Sequence, residues 1–341
     1  MKRVILFLAL LILAAAAWKG WRMYEEIWGG ATGFYEESKV VFIPSDSSFE
    51  EMMGVLLTEE VLKDTVSFKQ TATLKKFENV KPGRYRFSRG MSNNDIVNML
   101  RIGNQEPVRL LVKSARLPEE MAGIIASQLE LDSLELSQAM SSTQLASKYG
   151  FSKDNFRTMF LPNTYEMKWN ISTEEFIQRM AKEYKAFWND ERLAKARSKG
   201  LSQSDCTTLA SIVKAETAKR DEAPLVAGLY LNRIKKGIPL QADPTLIYAA
   251  GDFSIKRVLD KHKEINSPYN TYKNAGLPPG PINFPETNYI DAVLNAASHD
   301  YIYMCAKPDF SGYHNFAKSY NQHLQNARKY QQALNNQGVY R

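Results

Sequence analysis

At 341 residues, 44% of them hydrophobic and 24% charged, the chain has the composition of a globular protein with room for two domains. Its formal charge of +7 permits an anionic partner. It lacks zinc-finger spacing, a recognition-helix signature and any basic run interleaved with aromatics, so nucleic acid is not an expected partner.

The amino terminus reads as a membrane segment. Met1-Lys-Arg precedes an uncharged apolar run from Val4 to Trp18, followed by Lys19, Trp21 and Arg22. About 15 apolar residues are short for a ~30 Å hydrocarbon core, and the flanking aromatic and basic groups extend the run at the interface. A cleaved signal peptide competes with this reading, but Trp18 and Lys19 stand where a mature start would fall. The favoured reading is an uncleaved signal anchor over residues 1–30, with Lys2 and Arg3 cytoplasmic and the rest exported.

Residues 38–113 read as a small α+β module. Val40–Ile43 and Lys81–Phe87 read as strands and Glu50–Leu57 and Phe68–Phe77 as helices. Ser92-Asn-Asn-Asp95 has capping-box spacing and opens a helix that stops at Gly103. Glu106–Val112 reads as a further strand. No acid, nucleophile or histidine is set into an apolar pattern here, so the module is expected to bind or to space. Residues 114–200 read as mostly helical, including one charged helix over Glu174–Arg197.

Residues 201–341 hold the chemistry. Ser202-Gln-Ser-Asp205 again has capping-box spacing and opens a helix through Glu216. At roughly 100° per residue, Leu209, Ile212, Val213 and Glu216 share one face, while Lys214 points to the opposite, solvent side. A carboxylic acid on an apolar stripe has its pKa raised, as a general acid at neutral pH requires. The alternative is a helix-end glutamate paired with Arg220 or Arg233. Pro224 marks the first turn of the next helix, whose face carries Val226, Leu229, Tyr230 and Arg233. A stretch rich in Pro, Gly, Asn and Tyr follows, through Leu240–Thr245, Ser267–Tyr272 and Gly276–Ile282. Aromatic rings and amides on stiff loops suit a sugar-binding groove, and ordered structural turns are the alternative. Tyr301–Cys305 reads as a strand, Gly312–Phe316 as a turn and Tyr320–Leu334 as a closing helix. Cys206 and Cys305 are expected as buried free thiols in preference to one disulfide. His262, His299, His314 and His323 form no metal-ligand cluster, and no metal or organic cofactor is implied.

Leu209–Thr217, Asn232-Arg233, Leu240–Tyr248, Pro268–Tyr272, Gly276–Ile282 and His314-Asn-Phe316, in this order, resemble the MltG-type (YceG-like) endolytic murein transglycosylases. The resemblance implies an α+β protein: a transmembrane helix, a small LysM-like module and a larger mixed α+β catalytic domain. It implies a single-pass inner-membrane enzyme facing the periplasm, acting on peptidoglycan glycan strands. Peptidoglycan synthases of the elongation machinery are further candidate partners. The expected reaction cuts the β-1,4 bond between N-acetylmuramic acid and N-acetylglucosamine and leaves a 1,6-anhydro end. The family's catalytic glutamate falls on Glu216. Gln241, Asp243, Thr245, Tyr269, Asn270, Thr271, Tyr272, Pro278 and Pro279 become substrate-binding candidates, with His314 and Phe316 shaping the same groove. Lys214 departs from the acidic residue common in the family, and Ala218–Glu222 matches less closely. A hydrolase would need a second carboxylate, for which Asp243 and Glu222 are the candidates. A non-catalytic scaffold that binds peptidoglycan is the alternative from another class.

Overall fold

The computed structural model describes residues 2–338 and divides them into two compact units. One comprises the chain up to Leu110 with Ser127–Leu131 and Tyr165–Ile171. The other comprises Leu111–Ala126, Asp132–Thr164 and the chain from Ser172 onward. Residues 114–200 are divided between the two.

The first unit begins with α1 (Lys2–Trp28), which has no buried residue and is long and apolar enough to cross a membrane. Leu and Ala dominate it and nothing breaks it, so it runs unbroken for about 40 Å. Next come β1 (Ser38–Ile43), α2 (Phe49–Thr58), α3 (Thr65–Leu74), β2 (Gly83–Ser88) and α4 (Asn93–Ile102). β1 and β2 pair antiparallel, with Val41 opposite Tyr85. Alternation turns Val41, Ile43, Tyr85 and Phe87 inward onto Met52, Leu56, Phe68, Ile96 and Leu100, all buried. The helix ends are set locally. Ser48 and Glu51 form a capping box at α2, as Ser92 and Asp95 do at α4. Gly103 ends α4 in the left-handed conformation at φ 76°. Two short strands, β3 (Val108–Leu111) and β4 (Thr164–Met167), pair with each other.

The second unit is mainly helical. It contains α5 (Pro118–Ala126), α6 (Ser133–Met140), α7 (Thr143–Lys148), α8 (Thr173–Phe187) and α9 (Asp190–Ser198). The single charged helix expected over Glu174–Arg197 is therefore two. Trp188 leaves the helical conformation, and the Asn189 side chain caps α9 by accepting from the Arg192 N–H at 3.0 Å.

α10 (Gln203–Glu216) is the hub of this unit. Ser202 and Asp205 form its capping box, and every residue from Cys206 to Val213 is buried. The expected single apolar face gives way to a helix enclosed on all sides over that stretch, packed by α9, α11 (Ala223–Lys235), α12 (Asp243–Ala250) and α14 (Thr287–Leu294). Ser211 is tolerated there because its hydroxyl donates to Thr208 O at 2.7 Å. A short α13 (Asp260–Lys263) lies between α12 and α14.

Two further expectations are corrected. The Asp-Pro stretch is the first turn of α12, because Pro at that position needs no N–H. The turn expected at Gly312–Phe316 gives way to a strand from His314. There β6 (His314–Ala317) pairs antiparallel with β5 (Tyr303–Ala306) before the closing α15 (Tyr320–Asn336). Cys206 and Cys305 are both free, and only Cys206 is fully buried.

Candidate active site

α10 ends at Glu216, and Thr217 turns into extended conformation at φ −137°. The Glu216 carboxylate borders a cleft of about 340 Å³. It accepts a hydrogen bond from the Tyr230 hydroxyl on α11 at 2.8 Å. Burial pushes its pKa up to about 7, against the lowering effect of the Tyr230 hydrogen bond. The nearby Asp243 charge adds to the rise and the Arg233 charge opposes it. Among the described residues no arginine or lysine forms an ion pair with Glu216, so the pairing alternative gives way to a tyrosine. Burial, then the Glu216 charge, raises the Tyr230 pKa well above its ordinary value, so the phenol stays a donor.

Arg233 organises the wall opposite. It is buried, and its guanidinium donates to Ile302 O at 2.7 Å, Leu240 O at 2.8 Å, Pro239 O at 3.0 Å and Gln241 Oε1 at 3.3 Å. Its guanidinium carbon also lies 5.4 Å from the centre of the Tyr303 ring. Gln241 adopts φ 52°, a conformation L-residues seldom take, and is held there by Arg233 and by its own N–H to Thr271 O at 3.0 Å. Asp243 accepts from the Tyr272 hydroxyl, whose pKa is raised by burial first and then by that bond.

Of the sequence candidates, Glu216, Gln241, Asp243 and Tyr272 meet around this cleft. Tyr230, Arg233, Tyr303, Met304, Tyr320 and His323 join them. The Tyr303 and His323 rings stack at 5.3 Å, and burial, then the Arg233 charge, lowers the His323 pKa. Tyr230 and Arg233 carried a signal, polar tips on the apolar face of α11. The residues of β5 and α15 carried none.

The other candidates are engaged elsewhere. Thr245 and Thr271 are buried and joined hydroxyl to hydroxyl at 2.8 Å. Asn270 is buried, with its amide donating to Lys263 O and Ile265 O, both at 2.8 Å, and accepting from Tyr272 N–H. These three fix the loop that presents Tyr272. Tyr269 packs on Tyr248 with ring centres 4.7 Å apart. Pro278 is buried and Pro279 exposed; beside them a Cβ on Gly280 would stand 2.0 Å from Asp154 O, so only glycine fits. Phe316 packs near Tyr301 at 5.8 Å. His314 binds Glu222, its N–H at 2.7 Å and its Nδ1 at 2.8 Å. Glu222 is 3% exposed and also accepts from the Thr217 hydroxyl at 3.0 Å, which pins the residue after Glu216. Lys214 is off the Glu216 face as expected, yet it is not solvated. It is bonded to Ser114 and, at 2.6 Å, to Glu286.

One carboxylic acid raised toward neutrality at the end of α10, a phenol bonded to it and a cleft lined by aromatic rings, Gln241, Asp243 and Arg233 make up the candidate site. The chain belongs to the YceG-like family, whose model matches residues 41–329. It is 28% identical over 304 residues to the endolytic murein transglycosylase of Bacillus subtilis strain 168, covering 84% of this chain and 83% of that relative. It is 27% identical over 340 residues to the endolytic murein transglycosylase of Streptococcus pneumoniae serotype 2, with 89% of this chain matched but only 60% of that longer relative. A 2.6 Å crystal structure of a yceG-like protein from Listeria monocytogenes superposes with a TM-score of 0.55 at 26% identity, over 85% of this chain and 99% of that one.

Proposed function

We propose that the protein is a membrane-anchored endolytic murein transglycosylase with Glu216 as its general acid and base. The observation that carries this reading is the Glu216 carboxyl held near pH 7 in an open cleft. The names of the relatives support the substrate. In the first step Glu216 gives its proton to the glycosidic oxygen as that bond breaks. Its carboxylate then takes the proton of the muramic acid C6 hydroxyl, whose oxygen closes on C1 to give the 1,6-anhydro end. No water enters and no carboxylate nucleophile is needed. Tyr230 orients the acid, Gln241 and Tyr272 hold the sugar through amide and ring contacts, and Tyr303 and Tyr320 offer faces for further pyranoses. α1 anchors the chain in the inner membrane, with the rest of the first unit and the whole of the second in the periplasm. The β1-α2-α3-β2 arrangement serves as a LysM-like glycan-binding module.

A muramidase-type hydrolase is the second reading. It is favoured by Asp243, a second carboxylate in the same cleft, near enough to raise the Glu216 pKa. Mass spectrometry of chain ends separates the two. The full chain in detergent is incubated with purified glycan strands beside Glu216→Gln. Anhydro ends from wild type alone support the transglycosylase, and reducing ends turn the assignment to hydrolysis. Equal, uncut strands with both proteins would leave only a binding scaffold.

A further inference from the structure

A second cavity, of about 580 Å³, lies in the same unit and has no part in the chemistry above. Its lining is consecutive in sequence with that of the cleft at two points. Lys214 and Ala215 border it where Glu216 borders the cleft, and Pro244 borders it where Asp243 borders the cleft. A polymer lying across Glu216 therefore has a place for its neighbouring parts here.

The lining specifies their chemistry. Asn283 borders the cavity and is 7% exposed. Its Nδ2 is fixed on Ser211 O at 2.8 Å, which sets the orientation of the amide, and its buried Oδ1 has no partner. An acceptor in that state calls for an N–H donor. Lys214 is already satisfied by Ser114 and Glu286. Arg116 is different: its guanidinium carbon lies 5.3 Å from the centre of the Phe253 ring and forms no ion pair among the described residues, while Glu120, which also lines the cavity, accepts from the Arg116 backbone N–H at 2.9 Å. It is a cation ready for a carboxylate. Ile247, Phe253, Ile255 and Ile282 supply apolar wall. An amide N–H, small alkyl groups and a free carboxylate within one ligand describe a short peptide. An acetamido group alone has the first two but nothing for Arg116.

We propose that this cavity binds the stem peptide carried by a muramic acid next to the bond being cut. The assignment rests on the glycan-cleaving reading for its ligand, and it adds that the peptide, not only the sugar, is recognised.

The test compares peptide-bearing glycan strands with the same strands stripped of peptide by an amidase, using the full chain in detergent. Wild type is expected to show the higher kcat/KM on peptide-bearing strands, and in Arg116→Glu that preference should fall about fivefold or more. A separate arm titrates the free stem tetrapeptide against Glu216→Gln by calorimetry. Saturable binding, weakened by adding Arg116→Glu, supports the site whether or not any strand is cut. If wild type cuts both strands equally and the tetrapeptide does not bind, the site is overturned while the glycan-cleaving reading stands. If neither strand is cut but the tetrapeptide binds through Arg116, the cleaving reading fails and the peptide site survives.

Discussion

Replacing Glu216 by glutamine should make the protein more stable as it removes activity, and the gain should depend on pH in a set direction. The carboxyl has a pKa of about 7 in the fold against an ordinary 4.5. The folded state thus keeps a proton that the unfolded chain gives up between those values, so wild-type stability is fully retained below pH 4.5 and lost as pH rises through 7. The difference corresponds to roughly 3 kcal/mol above pH 7. Solvent reaching the carboxylate from the cleft reduces it. At about 2–4 °C per kcal/mol for a unit of this size, a gain of several degrees in Tm is expected for Glu216→Gln at pH 8. Glutamine keeps an oxygen for the Tyr230 hydroxyl, so the comparison isolates the charge. Scanning calorimetry of both proteins at pH 4.5 and pH 8 measures it. Coincident melting at both pH values would show that the fold does not hold this carboxyl protonated, and the acid role would lose its physical basis.

Other perturbations follow from the same geometry. Tyr230→Phe removes the hydrogen bond that opposes the rise in the Glu216 pKa, so the alkaline limb of the pH–rate profile should move to higher pH. Asp243→Asn removes a charge that raises this pKa, so the limb should move to lower pH with strand cutting retained; complete loss would favour the hydrolase. Gly280→Ala places a methyl against Asp154 O and should cost about 1–3 kcal/mol, seen as a lower Tm. Removing residues 1–30 should shift the protein from the membrane fraction to the soluble fraction on cell fractionation, and unchanged sedimentation would count against α1 as the anchor.

Features written in neighbouring residues were legible from sequence. Ser202 with Asp205 and Ser92 with Asp95 place the starts of α10 and α4, because a capping box needs only residues three apart. Glu216 stood out because its apolar neighbours recur at helical spacing. What depended on distant partners was not legible. Lys214 read as solvated, since nothing local announces Ser114 or Glu286, 100 and 72 residues away. His314-Asn-Phe316 read as a turn because its strand character comes from pairing with Tyr303–Ala306 across a hairpin. Tyr303, Tyr320 and His323 reach the cleft by that same long-range folding. Thr245, Asn270 and Thr271 showed the polar character of a sugar site, but those polar atoms are spent on loop backbone and on one another.

Because α10 is buried from Cys206 to Val213, the amide hydrogens of that stretch should exchange with solvent only when the unit opens. Glu216 ends the helix that carries this buried stretch, and burial sets its acidity. Any loosening that admits water around the last turn of α10 would lower the Glu216 pKa toward that of a free glutamate. The proton available at neutral pH would then be gone before helix content changed. In this protein the titration of one carboxyl is a gauge of how tightly the core is closed.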